Sequence, residues 1–343
     1  MLIFKEMEQK ADRDDYCTYL NIAYALNDNR LYDEALRFLG KATAIAPNNT
    51  DILFEQAFSL EQKQEFPKAI EVYNRILDIT PYSNEAWFNI GQLHFYQEQY
   101  TEACEAFDYA YVITPNDYQS LLQKANALFL CGRFQESADA YEEYSDLTGE
   151  TSNNYVLMGE CYEKMEDFAN AMILYRKAID IESGNIDALT GLSACCLEME
   201  KPEDALLYID EALRISPNNS NLWVQKAEAL IYSERQEEAI ECYNHALRLN
   251  PSQVDALVAL GNLYVDNGKY NLALYQYQQA QMVQKDINGM PLLLSIVFYK
   301  MGNYPLCVKY LKESSATDSQ TFKAFYEICP EAMDDPQLKQ LIS

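Results

Sequence analysis

Apolar and polar positions along the chain repeat every 34 residues. Proline marks the register. Pro47, Pro81, Pro115, Pro217 and Pro251 all fall on it, and the two points without proline hold the turn residues Gly149 and Ser183. Counted from Tyr16, the eighth place of each unit is small: Ala23, Ala57, Gly91, Ala125, Gly159, Ser193, Ala227 and Gly261. The twentieth is small as well: Ala35, Ala69, Ala103, Ser137, Ala171, Ala205, Ala239 and Ala273. The twenty-fourth is large: Leu39, Tyr73, Phe107, Tyr141, Tyr175, Ile209, Tyr243 and Tyr277. The twenty-seventh returns to small residues at Ala42, Ala110, Ala178, Ala212, Ala246 and Ala280, with Ile76 and Tyr144 as departures. Small residues let two helices approach to about 8–10 Å or closer, and the aromatics fill the space between them. Proline cannot continue a helix, so it separates one hairpin from the next. Each unit therefore reads as helix A, a short turn, helix B and a second turn. One hairpin cannot bury its apolar face alone, so neighbours must stack.

The third unit reads Trp87-x2-Ile90-Gly91-x2-His94, then Ala103-x3-Phe107, then Pro115. The eighth reads Leu257-x2-Leu260-Gly261-x2-Tyr264, then Ala273-x3-Tyr277. These residues resemble the tetratricopeptide repeat family, whose pattern is W-x2-L-G-x2-Y, A-x3-F and P. The resemblance covers eight units without insertion: 16–49, 50–83, 84–117, 118–151, 152–185, 186–219, 220–253 and 254–287. A ninth, 288–321, is degenerate, with Cys307 in the alanine place and Leu311 in the aromatic one. The fold the resemblance implies is all-α: an α-solenoid in which antiparallel helical hairpins stack into a right-handed superhelix. Array ends differ from their interior. Residues 1–15 read as an N-terminal capping helix, and 322–343 as capping helices at Phe322–Cys329 and Pro336–Ile342. Around 145–152 the proline is lost and Tyr144 replaces a small residue. A hinge between repeats four and five and ordinary drift both account for this.

Charge narrows the partners. The chain carries 53 acidic and 26 basic residues, a formal charge of −27. Such a surface repels nucleic-acid phosphates and anionic lipid heads, which leaves a basic or neutral polypeptide as the expected partner. The longest apolar runs, such as Leu292 to Ile296 broken by Ser295, fall short of the roughly 20 residues of a membrane span. No apolar stretch near Met1 reaches the roughly 7–15 residues of a secretory signal, so a cytoplasmic location is expected. Nine scattered cysteines without a C-x-x-C, and two distant histidines, His94 and His245, form neither a disulfide framework nor a zinc pattern. Cys161 and Cys195 share a repeat place, where equivalent helices about 10 Å apart are too distant for a disulfide.

In the family, helix A of each repeat lines a concave groove, exposing places 2, 5, 6, 9, 12 and 13. Here aromatics and amides gather on those places in repeats two to four. The candidate partner-binding residues are Phe54, Phe58, Phe88, Asn89, Gln92, Phe95, Tyr96, Gln123, Asn126 and Phe129. Amides suit the backbone of an extended or helical peptide, and aromatics its side chains. The rings of Phe54 and Phe88 have packing within the hairpins as an equal alternative. Some family members clamp a partner's C-terminal carboxylates with Lys, Arg and Asn. The corresponding places here hold Leu20, Tyr24, Glu55, Glu85 and Asn89, without a basic residue, so that ligand class is not expected. Between Ile76 and Gln123 there is no Lys or Arg, while Asp78, Glu85, Glu98, Glu102, Glu105, Asp108 and Asp117 all occur. The expectation is a Lys- or Arg-bearing peptide across repeats two to four.

Enzyme chemistry finds no constellation. There is no G-x-x-x-x-G-K, G-x-G-x-x-G or G-x-S-x-G. Cys242 lies one helical turn from His245, and a buried thiol is the simpler reading. No cofactor or metal is expected. The competing role is structural: self-association, or a place in a larger bacterial assembly through the convex face or the ends. Whether the chain is a monomer or a dimer stays open.

Overall fold

The structure is a computed structural model, and it describes residues 15–317 and 320–338. Among the described residues every regular element is helical. Repeat one is α1 (Tyr16–Asp28) and α2 (Tyr32–Ile45), and repeat two is α3 (Thr50–Gln62) and α4 (Phe66–Ile79). Repeat three is α5 (Asn84–Tyr96) and α6 (Tyr100–Ile113), repeat four α7 (Tyr118–Leu130) and α8 (Phe134–Thr148), repeat five α9 (Ser152–Lys164) and α10 (Phe168–Ile181). Repeats six to eight follow as α11 (Ile186–Glu198) and α12 (Pro202–Ile215), α13 (Ser220–Tyr232) and α14 (Gln236–Leu249), α15 (Val254–Asp266) and α16 (Tyr270–Val283). The degenerate ninth is a full hairpin, α17 (Met290–Lys300) and α18 (Tyr304–Thr317). The first expected C-terminal cap is α19 (Thr321–Ile328), followed by a 3-10 turn at Pro330–Asp334. Of the second cap, residues 336–338 are helical and the remainder lies outside the described residues, as does the expected N-terminal helix up to residue 14.

The chain divides into two compact units between Ile181 and Glu182. The first holds repeats one to five, and the second holds repeats six to nine with α19. Each is a stack of antiparallel helical hairpins, the α-solenoid class. The irregular stretch at 145–152, for which hinge and drift were both open, falls inside the first unit.

Helix starts follow from local chemistry. Seven of the eight helices α1, α3, α5, α7, α9, α11, α13 and α15 are preceded by Asp, Asn, Ser or Thr whose side chain accepts a bond from a first-turn N–H. Asn49, Ser83 and Asp117 are examples, and each such cap stabilises its helix by about 1 kcal/mol. The A–B turns share one geometry. Place 15 of every repeat has positive φ: Arg30, Gln64, Glu98, Gly132, Glu166, Glu200, Glu234, Gly268 and Gly302. The N–H of the next residue reaches back five residues, as in Gln99 to His94 (2.9 Å) and Lys269 to Tyr264 (2.7 Å). This left-handed closure satisfies carbonyls that the helix end leaves bare.

The periodic small residues form the seams. All eight residues of place 20, from Ala35 to Ala273, are fully buried, and place 24 is at most 3% exposed. Where place 8 is glycine, its helix lies against the ring at place 24. A Cβ on Gly91 would stand 2.7 Å from Phe107, and one on Gly261 would stand 2.3 Å from Tyr277. Trp87 and Trp223 take the motif's tryptophan place. Their indoles donate to the carbonyls of Pro81 (3.2 Å) and Pro217 (2.8 Å) and lie on Tyr109 and His245.

Repeat four departs from the columns. Tyr144, expected in the small-residue column, is half-buried, and its neighbour Ser145 takes the buried place. Without proline, α8 runs one residue longer than the preceding B helices, to Thr148. Gly149 ends it at φ 101° and ψ 150°, a conformation nearly restricted to glycine.

Candidate functional site

The tyrosines of place 24 fill the hairpin core, yet their hydroxyls need partners. Four of the five find them on helix A of the same repeat. Tyr73 donates to Glu61 (2.6 Å), Tyr141 to Asn126 (2.7 Å), Tyr175 to Glu163 (2.8 Å) and Tyr277 to Asn262 (2.6 Å). These acceptors occupy places 9 and 12, which belong to the A-helix face. Core tyrosines thus pin polar side chains on that face. Burial and the neighbouring Glu61 push the Tyr73 phenol far above its usual range.

The ten candidate residues separate into three groups. Phe58 and Tyr96 are exposed, at 40% and 67%. The other four aromatics are half-buried and packed within hairpins. Phe54 meets Tyr73 edge-on at 5.9 Å, and Phe88 tilts against Phe107 at 5.5 Å. Phe95 and Phe129 meet the first residues of the following B helices, Tyr100 and Phe134, each at 5.4 Å. The amides are half-buried, and three of the four hold partners inside the fold. Asn89 donates to the Tyr73 hydroxyl (3.1 Å), while Asn126 accepts from Tyr141 and donates to Gln123 (3.4 Å). Gln92 is half-buried beside them in sequence. Tyr96 also stacks on Phe66 of the preceding repeat, with centroids 6.4 Å apart.

The residues left off the list of candidate binding residues are acids. Glu55 and Glu61 of α3 are half-buried, and desolvation raises both carboxyls above their ordinary value. The partners they have are neutral. Asn27 donates to Glu55 (3.4 Å) and in turn accepts from Ser59 (2.9 Å), while Glu61 accepts from Tyr73. Asp28 adds like-charge repulsion to Glu55. The Tyr24 hydroxyl is raised by burial and then by Glu55 and Asp51. Among the described residues no cation pairs with Asp51, Glu55, Glu61 or Glu85. The nearby Lys63 is held by Asp33 (2.7 Å) and Glu65 (2.6 Å). The signal for Glu61 was present in the columns. Wherever place 24 is Tyr and place 12 is Glu, a hydroxyl–carboxylate bond forms; repeat three has Phe107 with Phe95 and lacks one.

Two acids of the basic-free stretch prove occupied. Asp117 caps α7 through Ser120 and accepts from Asn84 (3.1 Å), and Asp108 pairs with Lys124 just beyond that stretch. Asp78, Glu85, Glu98, Glu102 and Glu105 are exposed.

In the second unit, Cys242 is buried and its thiol is pushed up by desolvation, while the ring of His245 lies 4.2 Å from Trp223. The pair is used in packing. All nine cysteines are free thiols, seven of them buried. No helix among the described residues is long and apolar enough to cross a membrane.

Comparison with known proteins agrees with this architecture. Family models described as tetratricopeptide repeat match residues 20–84 and 163–231, and one described as TPR repeat matches 227–268. The model for anaphase-promoting complex, cyclosome, subunit 3 matches 62–144. No curated protein matches. Among solved structures, the chain is similar to a chain of the APC/C hetero-tetramer Cut9-Hcn1, at 17% identity and TM-score 0.50 over 78% of its length. It spans about half, 52%, of that chain. It is also similar to pilF of Pseudomonas aeruginosa, at 15% identity and TM-score 0.54, over 62% of this chain and 97% of the other. At these identities the likeness is one of fold.

Proposed function

The chain is a tetratricopeptide repeat protein, and from that premise we propose that it is a non-catalytic scaffold holding a basic or neutral peptide, or a segment of a larger protein, across the A helices of repeats two to four. Repeats of this family make protein-interaction scaffolds, and the finer reading rests on one observation. Glu55 and Glu61 have lost water without gaining a cation. A carboxylate in that state gains most from an incoming Lys or Arg, because the charge-assisted bond replaces lost hydration. The exposed rings of Phe58 and Tyr96 supply apolar contact and a face for cation–π attraction. Phe54, Phe88, Asn89, Gln92, Phe95, Gln123, Asn126 and Phe129 shape the surface around them. Asp51 and Glu85 add an acidic field that speeds the encounter. A cytoplasmic location suits the buried thiols and this surface charge.

The test is titration calorimetry of the full chain with Lys- and Arg-containing peptides against composition-matched acidic ones. Basic peptides should bind. Glu55→Gln with Glu61→Gln should weaken them about tenfold, the scale of one or two charge-assisted contacts. Joint replacement of Asn89, Gln92 and Asn126 by Ala should weaken them too. Equal affinity for acidic peptides, or indifference to both sets of changes, overturns the reading.

A further inference from the structure

The B-helix side of the second unit carries a pattern that peptide binding does not use. Helix α16 contains no charged residue between Tyr270 and Val283, and every other described B helix contains at least two. Its exposed large apolar side chains are Leu272, Tyr275, Met282 and Val283, exposed by 47, 55, 78 and 47%. In a chain of net charge −27, such a helix face adds no like-charge repulsion of its own where two copies meet. Helix α16 shares one open cleft with α14, through Tyr275, Gln279, Asn244 and Arg248. It shares another with α18, through Gln281 and Glu313. The three helices therefore lie side by side. At place 22 they carry Glu241, Tyr275 and Lys309: acid, neutral ring, base. Glu241 and Lys309 are exposed, and neither has an ion-pair partner among the described residues.

We propose that the face formed by α14, α16 and α18 binds a second copy of this chain about a twofold axis running along α16. A twofold contact uses the same patch on both copies. An axis along α16 reverses the order of the helices across the contact, so α14 of each copy faces α18 of the other. Glu241 then meets the partner's Lys309, twice, around a centre of Tyr275 and Met282 from both copies. An axis across the helices would set Glu241 against the same acid, so the charge order selects the first arrangement. Three helices about 20 Å long and about 10 Å apart present roughly 600 Å² per copy. The total of roughly 1,200 Å² lies at the lower end of stable interfaces.

This dimer leaves the A-helix face free and stands whether or not peptides bind there. The test is sedimentation equilibrium of the full chain. A dimer is expected, and Met282→Glu or Tyr275→Glu should yield monomers that keep their helical circular dichroism. Glu241→Lys and Lys309→Glu should each weaken association about tenfold, as two like-charge contacts replace two pairs. The double variant Glu241→Lys, Lys309→Glu should restore it. A monomer at the highest soluble concentration overturns the proposal, including one that binds some other protein through this face. So does a dimer indifferent to Met282→Glu and Tyr275→Glu, or a double variant as weak as the singles.

Discussion

Single residues carry strain at a fixed place. Six of the nine A–B turns put a non-glycine residue in the left-handed region, four of them glutamates. An L-residue there costs about 1–2 kcal/mol, and glycine avoids this at an entropic cost of about 0.5–1 kcal/mol. Glu98→Gly and Glu166→Gly should therefore each stabilise the chain by about 0.5–1 kcal/mol in urea unfolding. The columns of small and aromatic residues were legible from the period alone, because burial constrains side-chain size. The left-handed place was not read, because Glu, Gln and Arg do not announce it; Gly132 and Gly268 on the same place did. Glu55 and Glu61 supply a second test at this scale. Their folded carboxyls sit above the unfolded value, so the folded state binds protons more tightly. Stability from these groups falls as pH rises from the unfolded value through the folded one. Glu55→Gln with Glu61→Gln should then raise the urea midpoint at pH 7.5 and leave it nearly unchanged at pH 4. A gap equal at both values would refute the titration.

At the scale of elements, the boundaries follow from caps and turn geometry that repeat with the period. The exception is the connection from α8 to α9. Its loss of proline was visible in the sequence; its consequence, one added helical residue and a shift of burial from Tyr144 to Ser145, was not, since it depends on packing. The turn is well tied. Asn154 donates to the Gly149 carbonyl (3.1 Å), and Thr151 caps α9. Limited proteolysis should spare 145–152 while cutting elsewhere; preferential cleavage there would mark a hinge. Gly149→Ala should cost about 1–3 kcal/mol in thermal or urea unfolding, because a Cβ disfavours the φ and ψ that end α8.

At the scale of the whole molecule, an excess of acids over bases sets how partners are met. If basic peptides bind at the acids of repeats two and three, affinity should fall steadily between about 50 and 500 mM salt as screening shortens the field's reach. It should rise with pH through the raised carboxyls of Glu55 and Glu61, since only the ionised forms attract a cation. Titration calorimetry across both variables checks each sign. The groove places were legible because they follow from the repeat. Which of them are free was not: Asn89, Asn126 and Phe95 turn out to have partners that only the packed hairpins reveal, whereas Glu61 acquired its role through a tyrosine that looked like filler.

One feature of the thiols makes such measurements direct. Seven cysteines are buried and Cys131 is half-buried, which leaves Cys17 as the exposed one. It stands at place 2 of repeat one, the place that Asp51 and Glu85 hold in the next two repeats. A maleimide fluorophore added in limiting amount should couple there first, without engineering. Its emission would then report occupancy of the A-helix face in the natural protein.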